Sequence, residues 1–144
     1  MSEPLIDQLG QRLERRDATV AVIGLGYVGL PLVLASHAAG YRVIGFDLDP
    51  EKIARLEAGE SYIRHISGEA IAELADSYRF TATTEETVLA GADIILICVP
   101  TPLTANREPD MRYVEGTAQT IARHLRVGQL VVLESTTYPG TTAE

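Results

Sequence analysis

The segment from Thr19 to Gly29, TVAVIGLGYVG, decides the fold of this chain. Its first five residues form a continuous apolar run, which is typical of a β-strand buried on both faces of a parallel sheet. Three glycines follow at G-x-G-x-x-G spacing, and the apolar stretch Val28–Ala39 predicts a helix that ends at Gly40. The glycine pattern is weak when it stands alone, but between a buried strand and a helix it indicates a phosphate-binding loop.

Strand and helix patterns alternate along the rest of the chain. Apolar runs predict further strands at Tyr41–Phe46, Arg79–Thr81, Ala92–Val99 and Gln129–Glu134. Helices are predicted at Glu3–Arg16, at residues 50–59, at Gly68–Ser77, from a capping box of Thr83 and Glu86 to Gly91, along the face of Val114, Ala118, Ile121 and Leu125, and after Thr136. Apolar strands that alternate with helices predict an α/β domain of Rossmann type, a three-layer structure built on a doubly wound parallel sheet.

The composition is that of one soluble globular domain, and it argues against several classes of protein. Of the 144 residues, 46% are hydrophobic and 22% are charged, which argues against a disordered chain or a coiled coil. Asp and Glu outnumber Lys and Arg by 20 to 12, so the sequence supplies no clustered basic footprint for nucleic acid. No apolar run approaches the ~20 residues of a membrane span. A single cysteine fits a reduced, cytoplasmic setting.

An acidic residue follows the second predicted strand, where a dinucleotide site requires one. Asp47 lies 23 positions after Gly24, and a carboxylate at this spacing accepts hydrogen bonds from the adenosine ribose. The carboxylate would repel a 2′-phosphate, so the sequence favours NAD over NADP. Within the loop, Gly24 allows the tight turn, Gly26 lets the backbone approach the pyrophosphate, and Gly29 allows close packing of helix on strand. The neighbouring Asp49 is predicted to cap the next helix.

Three segments resemble signatures of one enzyme family, the UDP-glucose/GDP-mannose dehydrogenases, which are nucleotide-sugar 6-dehydrogenases. The segments are Ala21–Pro31 (AVIGLGYVGLP), Cys98–Pro102 (CVPTP) and Glu134–Thr142 (ESTTYPGTT), in family order and spacing. The long form of the last two looks most like the UDP-N-acetylglucosamine 6-dehydrogenase branch. We therefore expect a helical extension at residues 1–17 and an NAD-binding domain at residues 18–144, cut from a longer enzyme before its central and substrate domains.

The resemblance also implies roles for individual residues, which we call the expected cofactor residues. The backbone of Gly24, Gly26, Tyr27, Val28 and Gly29 would hold the pyrophosphate, Asp47 and Lys52 would hold the adenosine ribose, and Val99, Thr101 and Ser135 would line the cofactor. Thr136 would lie near the nicotinamide, where its hydroxyl assists the reaction by positioning and not by primary chemistry. For Lys52, a solvated lysine on the first turn of a helix stays open as the alternative.

The family oxidises the C6 hydroxyl of a UDP-sugar to a carboxylate with two NAD, through a thioester on a cysteine. The resemblance places the catalytic Cys, Lys, Asn and Asp beyond Glu144, together with the segments that make the parent enzyme a homodimer or a larger assembly. Cys98 lies within an apolar strand and is predicted to be an inert core residue. His37, His65 and His124 have no partner at metal-ligand spacing, so the sequence predicts no metal site.

Two other functions remain open at the level of the sequence. One is a stand-alone NAD-sensing regulatory domain, and the other is the N-terminal domain of a hydroxy-acid or hydroxyacyl dehydrogenase. The signature from Ser135 to Gly140 favours a nucleotide-sugar dehydrogenase over both. We therefore expect a fragment that binds NAD, that is inactive alone, and that belongs to a parent enzyme with a UDP-sugar substrate.

Overall fold

The computed structural model describes residues 4–100, 104–107 and 110–134, in which strands and helices alternate. The strands are β1 (Thr19–Ile23), β2 (Arg42–Phe46), β3 (Phe80–Thr83), β4 (Ile94–Ile97) and β5 (Leu130–Leu133). The helices are α1 (Leu5–Arg15), α2 (Gly29–Ala38), α3 (Pro50–Glu57), α4 (Gly68–Asp76) and α5 (Arg112–His124), and a 3-10 helix, Glu86–Gly91, lies between β3 and β4. Among the described residues, none of the helices has the length and apolar character to cross a membrane.

The described strands form one parallel sheet in the order β3-β2-β1-β4-β5. The central strand is β1, in which Val22 lies opposite Gly45 of β2 on one side and Leu96 of β4 on the other. The chain adds strands outward from β1 to β3 and then returns to add β4 and β5 on the other side, so the winding reverses between β1 and β4. This confirms the predicted doubly wound, Rossmann-type sheet. Ligands of such sheets bind at the carboxyl ends of the strands where the order reverses.

The sheet separates two hydrophobic cores, which together with it make the three layers. Because side chains alternate along a strand, Val20 and Val22 of β1 belong to one core while Ala21 and Ile23 belong to the other. The first core takes helix side chains from α1 to α4, namely Leu9, Leu30, Val33, Ile53, Leu56, Ile71 and Leu74. The second takes Leu89 of the 3-10 helix and Ile121 of α5. Both faces of β1 are therefore buried, as its continuous apolar run predicts.

Of the two predicted helix starts that depend on a side chain, one is wrong and one is confirmed. The capping box of Thr83 and Glu86 is wrong, because Thr83 ends β3 and is paired with β2. Its hydroxyl accepts a hydrogen bond from the Glu85 N–H at 3.0 Å, and the segment that follows is a 3-10 helix of six residues without a side-chain cap. The predicted cap of α3 is confirmed, since Oδ1 of Asp49 accepts the N–H of Glu51 at 2.9 Å.

A buried carboxylate that the sequence pattern does not single out joins three elements at the amino ends of the strands. Asp93, just before β4, is only 4% exposed. Its Oδ2 accepts the N–H of Thr19 at 2.8 Å. Its Oδ1 lies 2.5 Å from Nη1 of Arg12 and 3.3 Å from Nη2 of Arg126. Helix α1 is thereby tied both to the sheet and to the turn before β5.

Candidate functional site

Two clefts open at the carboxyl ends of the strands, and both include Gly24, Asp47, Lys52, Val99 and Pro100. The first, which we call the loop cleft, has a volume of about 540 Å³ and extends along the glycine loop to Glu134 after β5. The second, which we call the α5 cleft, has a volume of about 440 Å³ and extends from the end of β2 to α5. Both clefts lie where the strand order reverses, so the fold offers a dinucleotide the position that this topology predicts.

The structure brings most of the expected cofactor residues together. Seven of them line the loop cleft, namely Gly24, Gly26, Tyr27, Val28, Asp47, Lys52 and Val99. Gly29 starts α2 and packs against the backbone of Gly24 instead of lining the cleft. Thr101, Ser135 and Thr136 lie outside the described residues, as does the helix predicted after Thr136.

The three glycines of the loop differ in what a side chain would meet. Gly24 has φ of +93°, and a Cβ there would lie 2.7 Å from the carbonyl oxygen of Cys98. A Cβ at Gly29 would lie 1.7 Å from the carbonyl oxygen of Gly24. A Cβ at Gly26, by contrast, would meet no atom of the described residues within 4 Å, and its φ is not in the left-handed region. Because neither packing nor backbone conformation requires a glycine at Gly26, its bare Cα fits a site that a ligand's phosphates approach closely.

The loop presents backbone donors that the described part of the chain does not use. Its first two N–H groups are paired, that of Gly24 with the Phe46 carbonyl and that of Leu25 with the Asp47 carboxylate, both at 2.9 Å. Within residues 4–100, 104–107 and 110–134, the N–H groups of Gly26, Tyr27, Val28 and Gly29 have no protein acceptor. These four amides lie at the N-terminus of α2, where unpaired N–H groups and the helix dipole favour an anion.

Asp47 lines both clefts, and backbone donors hold its carboxylate in place. Its Oδ2 accepts the Leu25 N–H at 2.9 Å, and its Oδ1 accepts the Asp49 N–H at 2.9 Å. Nζ of Lys52 lies 3.7 Å from Oδ2, with the two side chains 35% and 13% exposed. The carboxylate is thereby held in one orientation, and each of its oxygens keeps a further lone pair for a ligand hydroxyl. Lys52, on the first turn of α3, thus lies beside Asp47, the residue predicted to bind the ribose, and does not point away from it.

Tyr62 is a cleft residue to which the sequence pattern assigns no role. Its hydroxyl donates a hydrogen bond to the carbonyl oxygen of Leu25, in the middle of the glycine loop. The guanidinium of Arg55 lies 5.9 Å from the centre of the Tyr62 ring. Burial, and to a smaller extent the Asp47 carboxylate, raises the pKa of Tyr62, so the phenol remains a donor at neutral pH. Sequence reasoning missed this residue because the segment between α3 and α4 has no periodicity that reveals which side chain turns inward.

Cys98 lies at the base of the loop cleft and has the character predicted from its apolar strand. The residue is 8% exposed and free. Burial, with a smaller contribution from the Glu134 carboxylate, raises the pKa of the Cys98 thiol to about 11. The thiolate is the reactive form of cysteine. At neutral pH this thiol is therefore a poor nucleophile.

Each of the three histidines has a different side chain as its neighbour. Nε2 of His37 lies 2.7 Å from the hydroxyl of Ser77, and the ring of His65 stacks on Tyr27 with centroids 6.3 Å apart. Nε2 of His124 lies 3.3 Å from Glu86. Within the described ranges, no three His, Cys, Asp or Glu side chains are grouped so that they could hold a metal ion.

The α5 cleft is lined by apolar surfaces and by charged side chains. Leu48 and the Tyr113 ring are among the apolar surfaces, and Asp47, Lys52 and Arg112 are charged residues that line it. The hydroxyls of two lining threonines are taken up by their own helix, because Thr117 and Thr120 donate to the carbonyl oxygens four residues earlier at 2.7 and 3.1 Å. This cleft therefore suits a planar, largely apolar ring system that continues from a group bound at Asp47.

Comparison with known proteins agrees with this geometry. The model of the UDP-glucose/GDP-mannose dehydrogenase family, NAD binding domain, matches residues 18–144. The chain belongs to the UDP-glucose/GDP-mannose dehydrogenase family. It contains that family's NAD binding domain, and NAD is its cofactor.

Individual relatives carry several substrate names. The chain is 40% identical over 125 residues to a UDP-N-acetyl-D-mannosamine dehydrogenase of Escherichia coli, covering 87% of this chain and 29% of that protein. It is 34% identical over 129 residues to a UDP-N-acetyl-D-glucosamine 6-dehydrogenase of Pseudomonas aeruginosa, covering 90% of this chain and 30% of that protein. A UDP-glucose dehydrogenase structure from Pyrobaculum islandicum superposes with a TM-score of 0.80 at 35% identity, covering 87% of this chain and 30% of that one. The chain thus spans about 30% of the length of these relatives.

Proposed function

We propose that this domain holds NAD for a nucleotide-sugar 6-dehydrogenase, whose whole protein oxidises the C6 hydroxyl of a UDP-sugar to a carboxylate with two NAD. The observation that carries the proposal is that, among the described residues, no atom lies within 4 Å of a Cβ at Gly26 and four neighbouring loop amides have no acceptor, beside the fixed carboxylate of Asp47. When bound, NAD supplies the hydride acceptor for the oxidation of an alcohol carbon. The residues of this chain bind and orient the cofactor.

The proposed binding mode follows from the order of the groups along a dinucleotide. The amides from Gly26 to Gly29 take the pyrophosphate, and Asp47 with Lys52 takes the adenosine ribose. The adenine then continues away from the loop into the α5 cleft, against Leu48 and Tyr113. The nicotinamide half continues along the loop cleft past Val99 towards the end of β5.

The proposal extends to three expected cofactor residues at the nicotinamide end. Val99 and Pro100, which follow β4, line both clefts, and Thr101 is the next residue in the sequence. Glu134, the last described residue after β5, lines the loop cleft directly before Ser135 and Thr136 in the sequence. This supports places for Thr101 and Ser135 beside the cofactor and for Thr136 near the reacting centre, where a hydroxyl positions a reactant.

For the substrate, we propose a UDP-N-acetylhexosamine, and UDP-N-acetylglucosamine as the sugar that the sequence signatures resemble. The second candidate is UDP-N-acetylmannosamine, which is favoured by the 40% identity to the Escherichia coli enzyme against 34% for the glucosamine enzyme. A role in polysaccharide biosynthesis, a cytoplasmic location and a homodimeric or larger parent are part of the same proposal. A stand-alone NAD sensor and a hydroxy-acid or hydroxyacyl dehydrogenase are not favoured, because the named relatives act on nucleotide sugars.

We further propose that the chain alone binds NAD without turning it over. The family resemblance requires a cysteine nucleophile, and Cys98 is the chain's single cysteine. The raised pKa of its buried thiol, about 11, is opposite to the lowered pKa of a catalytic thiolate.

Calorimetry with NAD and NADP tests the cofactor site. We expect NAD to bind more tightly than NADP, because the Asp47 carboxylate accepts from the ribose hydroxyls and repels a 2′-phosphate. Asp47→Ala should weaken NAD binding about 10- to 100-fold, as expected for the loss of one or two hydrogen bonds to a charged group. The same substitution should narrow the preference for NAD over NADP.

Asp49→Ala is the matched control for that experiment. It removes the neighbouring carboxylate, which caps α3, so it should lower the free energy of unfolding by about 1 kcal/mol while leaving the NAD preference intact. A folded chain that binds neither nucleotide would contradict the proposed cofactor site. Formation of NADH by this chain with a UDP-sugar would contradict the proposal that it is inactive alone.

A further inference from the structure

Leu25, in the glycine loop, is held through both of its backbone polar groups. The N–H of Leu25 donates to Oδ2 of Asp47 at 2.9 Å, and the carbonyl oxygen of Leu25 accepts from the hydroxyl of Tyr62. The Leu25 side chain is completely buried in the first core. Tyr62 comes from the segment between α3 and α4 and lies 37 residues further along the chain.

The hydrogen bond to the Leu25 carbonyl fixes the direction of the next amide. A peptide bond is planar and trans, so the N–H of Gly26 points opposite to the C=O of Leu25. Rotation of this peptide unit is otherwise cheap, because glycine at position 26 tolerates backbone conformations that other residues avoid. The Tyr62 hydroxyl therefore holds in place an amide that has no acceptor among the described residues and lies on the loop cleft.

The donor itself is firmly placed. Arg55 lies over the Tyr62 ring, and its Nη2 donates to the carbonyl oxygen of Ser61 at 2.9 Å. The Ser61 hydroxyl in turn lies 3.0 Å from the carbonyl oxygen of Ile63, whose side chain is 4% exposed in the first core. The residues on both sides of Tyr62 are thus held by hydrogen bonds and packing. Their anchoring keeps the Tyr62 hydroxyl directed at the Leu25 carbonyl oxygen.

We propose that Tyr62 is a positioning residue for the dinucleotide, and that its hydroxyl holds the Leu25 peptide so that the Gly26 amide is aligned in advance for the pyrophosphate. This inference rests on the proposed NAD site. It differs from a general stabilising role, because it predicts a loss confined to ligands that carry the pyrophosphate. Adenosine, which reaches only the Asp47 and α5 side of the site, is not affected.

The test is Tyr62→Phe in the full chain, which removes one oxygen atom and keeps the ring beneath Arg55. Calorimetry should show affinities for NAD and for ADP-ribose that are about tenfold weaker, the fold-change expected for one lost hydrogen bond whose acceptor is left unpaired. Adenosine, titrated by NMR, should bind the variant and the original chain equally. Equal weakening of adenosine and ADP-ribose, or unchanged binding of both, overturns the inference.

Tyr41→Phe is a closely matched control. The Tyr41 hydroxyl donates to the carbonyl oxygen of Leu13 at 2.8 Å, and the Arg16 guanidinium lies 5.5 Å from the Tyr41 ring centre, so the same two interactions recur away from the clefts. This variant should lose a comparable amount of stability and keep its affinity for NAD and ADP-ribose. A similar loss of affinity in both variants would mean that general destabilisation causes it, and would overturn the positioning role.

A measurement on the unsubstituted chain supports or contradicts the same inference without a variant. The amide resonance of Gly26 should shift when ADP-ribose binds and stay in place when adenosine binds, and an unmoved resonance in the ADP-ribose complex contradicts the proposal. Failure of the original chain to bind NAD at all is a different outcome, because it removes the proposed cofactor site itself. Normal NAD binding by Tyr62→Phe removes only the role of Tyr62.

Discussion

At the scale of single residues, Gly26 and Gly29 differ in what a side chain would meet. A side chain at Gly29 would overlap the Gly24 carbonyl, whereas a Cβ at Gly26 would have no atom within 4 Å in the part of the chain that the structure describes. Gly29 is therefore required by the fold, whereas the glycine at position 26 is explained by the proposed pyrophosphate site. A pair of alanine substitutions separates these two requirements.

Gly26→Ala should keep or slightly raise the free energy of unfolding, by up to about 1 kcal/mol, because alanine restricts the unfolded chain and meets no contact in the folded one. Its NAD affinity should fall by tenfold or more, since the new methyl group takes space needed by the pyrophosphate. Gly29→Ala should instead lower the free energy of unfolding by about 3 kcal/mol or more, as in a strongly overpacked core. Thermal unfolding and calorimetry on both variants measure the two effects, and full NAD affinity in Gly26→Ala would contradict the proposed position of the pyrophosphate.

Which cleft residues the sequence predicts depends on how their contacts arise. The loop glycines and Asp47 follow from spacing, because a strand of known direction carries them to the same end of the sheet. Tyr62 does not, because its contact with Leu25 depends on the path of an irregular segment between two helices. The fixed orientation of the Asp47 carboxylate is likewise a property of the folded turn, where Leu25 and Asp49 donate to its two oxygens.

At the scale of elements, Asp93 is the side chain that joins α1 to the sheet. Its carboxylate accepts the first N–H of β1 and contacts both Arg12 of α1 and Arg126 before β5. These contacts lie at the end of the sheet opposite the clefts, so we expect their loss to lower stability without changing cofactor binding. A carboxylate buried to this extent is tolerated because each of its oxygens has partners.

Asp93→Ala should lower the free energy of unfolding by about 3 kcal/mol, since it leaves the Thr19 N–H without its acceptor and separates α1 from the sheet. Chemical denaturation measures this loss, and the NAD affinity of the folded variant should be unchanged. Asp17→Ala is the control, because Asp17 also pairs with Arg12 but its side chain is 53% exposed, and its loss should cost no more than about 1 kcal/mol. Equal losses in the free energy of unfolding from the two substitutions would contradict the idea that burial makes the Asp93 contacts more stabilising than the exposed Asp17 pair.

Among the elements, the strands were easier to predict than the way helices begin. A run such as Ile94–Ile97 is apolar throughout because both faces of its strand are covered, so composition alone indicates it. A cap depends on the conformation of one residue. Asp49 precedes Pro50, which fixes a helix start, whereas Thr83 is held in β3 by pairing with β2, which its spacing to Glu86 does not reveal.

At the scale of the whole molecule, the two layers of helices contribute to different parts of the two clefts. The layer of α2, α3 and α4 carries the loop amides, Lys52 and the segment of Tyr62, while α5, in the other layer, lines the α5 cleft together with residues such as Leu48 after β2. The fold class follows from alternation of strand and helix patterns, so it was predictable from the sequence. The packing of α2 against α4 was not predictable, because it depends on contacts between residues that are distant in the chain. One of these contacts involves a titratable side chain, His37.

That contact makes the stability of the molecule depend on pH through His37, near the end of α2. Nε2 of His37 lies 2.7 Å from the Ser77 hydroxyl after α4, and Arg79 donates to the His37 carbonyl at 2.9 Å. Burial, and next the Arg79 charge, lowers the pKa of His37 below 6.5. The unfolded chain therefore binds a proton more readily than the folded one. The stability that this group contributes is complete above pH 6.5 and is lost as the pH falls from there towards the lowered pKa.

Denaturation at pH 7.5 and 5.5 should show this loss of stability. Both pH values lie well above the range in which Glu86 and Asp110 titrate, because the pKa values of these two carboxyl groups are lowered. His37→Gln, which keeps a hydrogen-bonding side chain but carries no charge, should reduce the dependence between these two pH values, and an unchanged dependence in that variant would place its origin elsewhere.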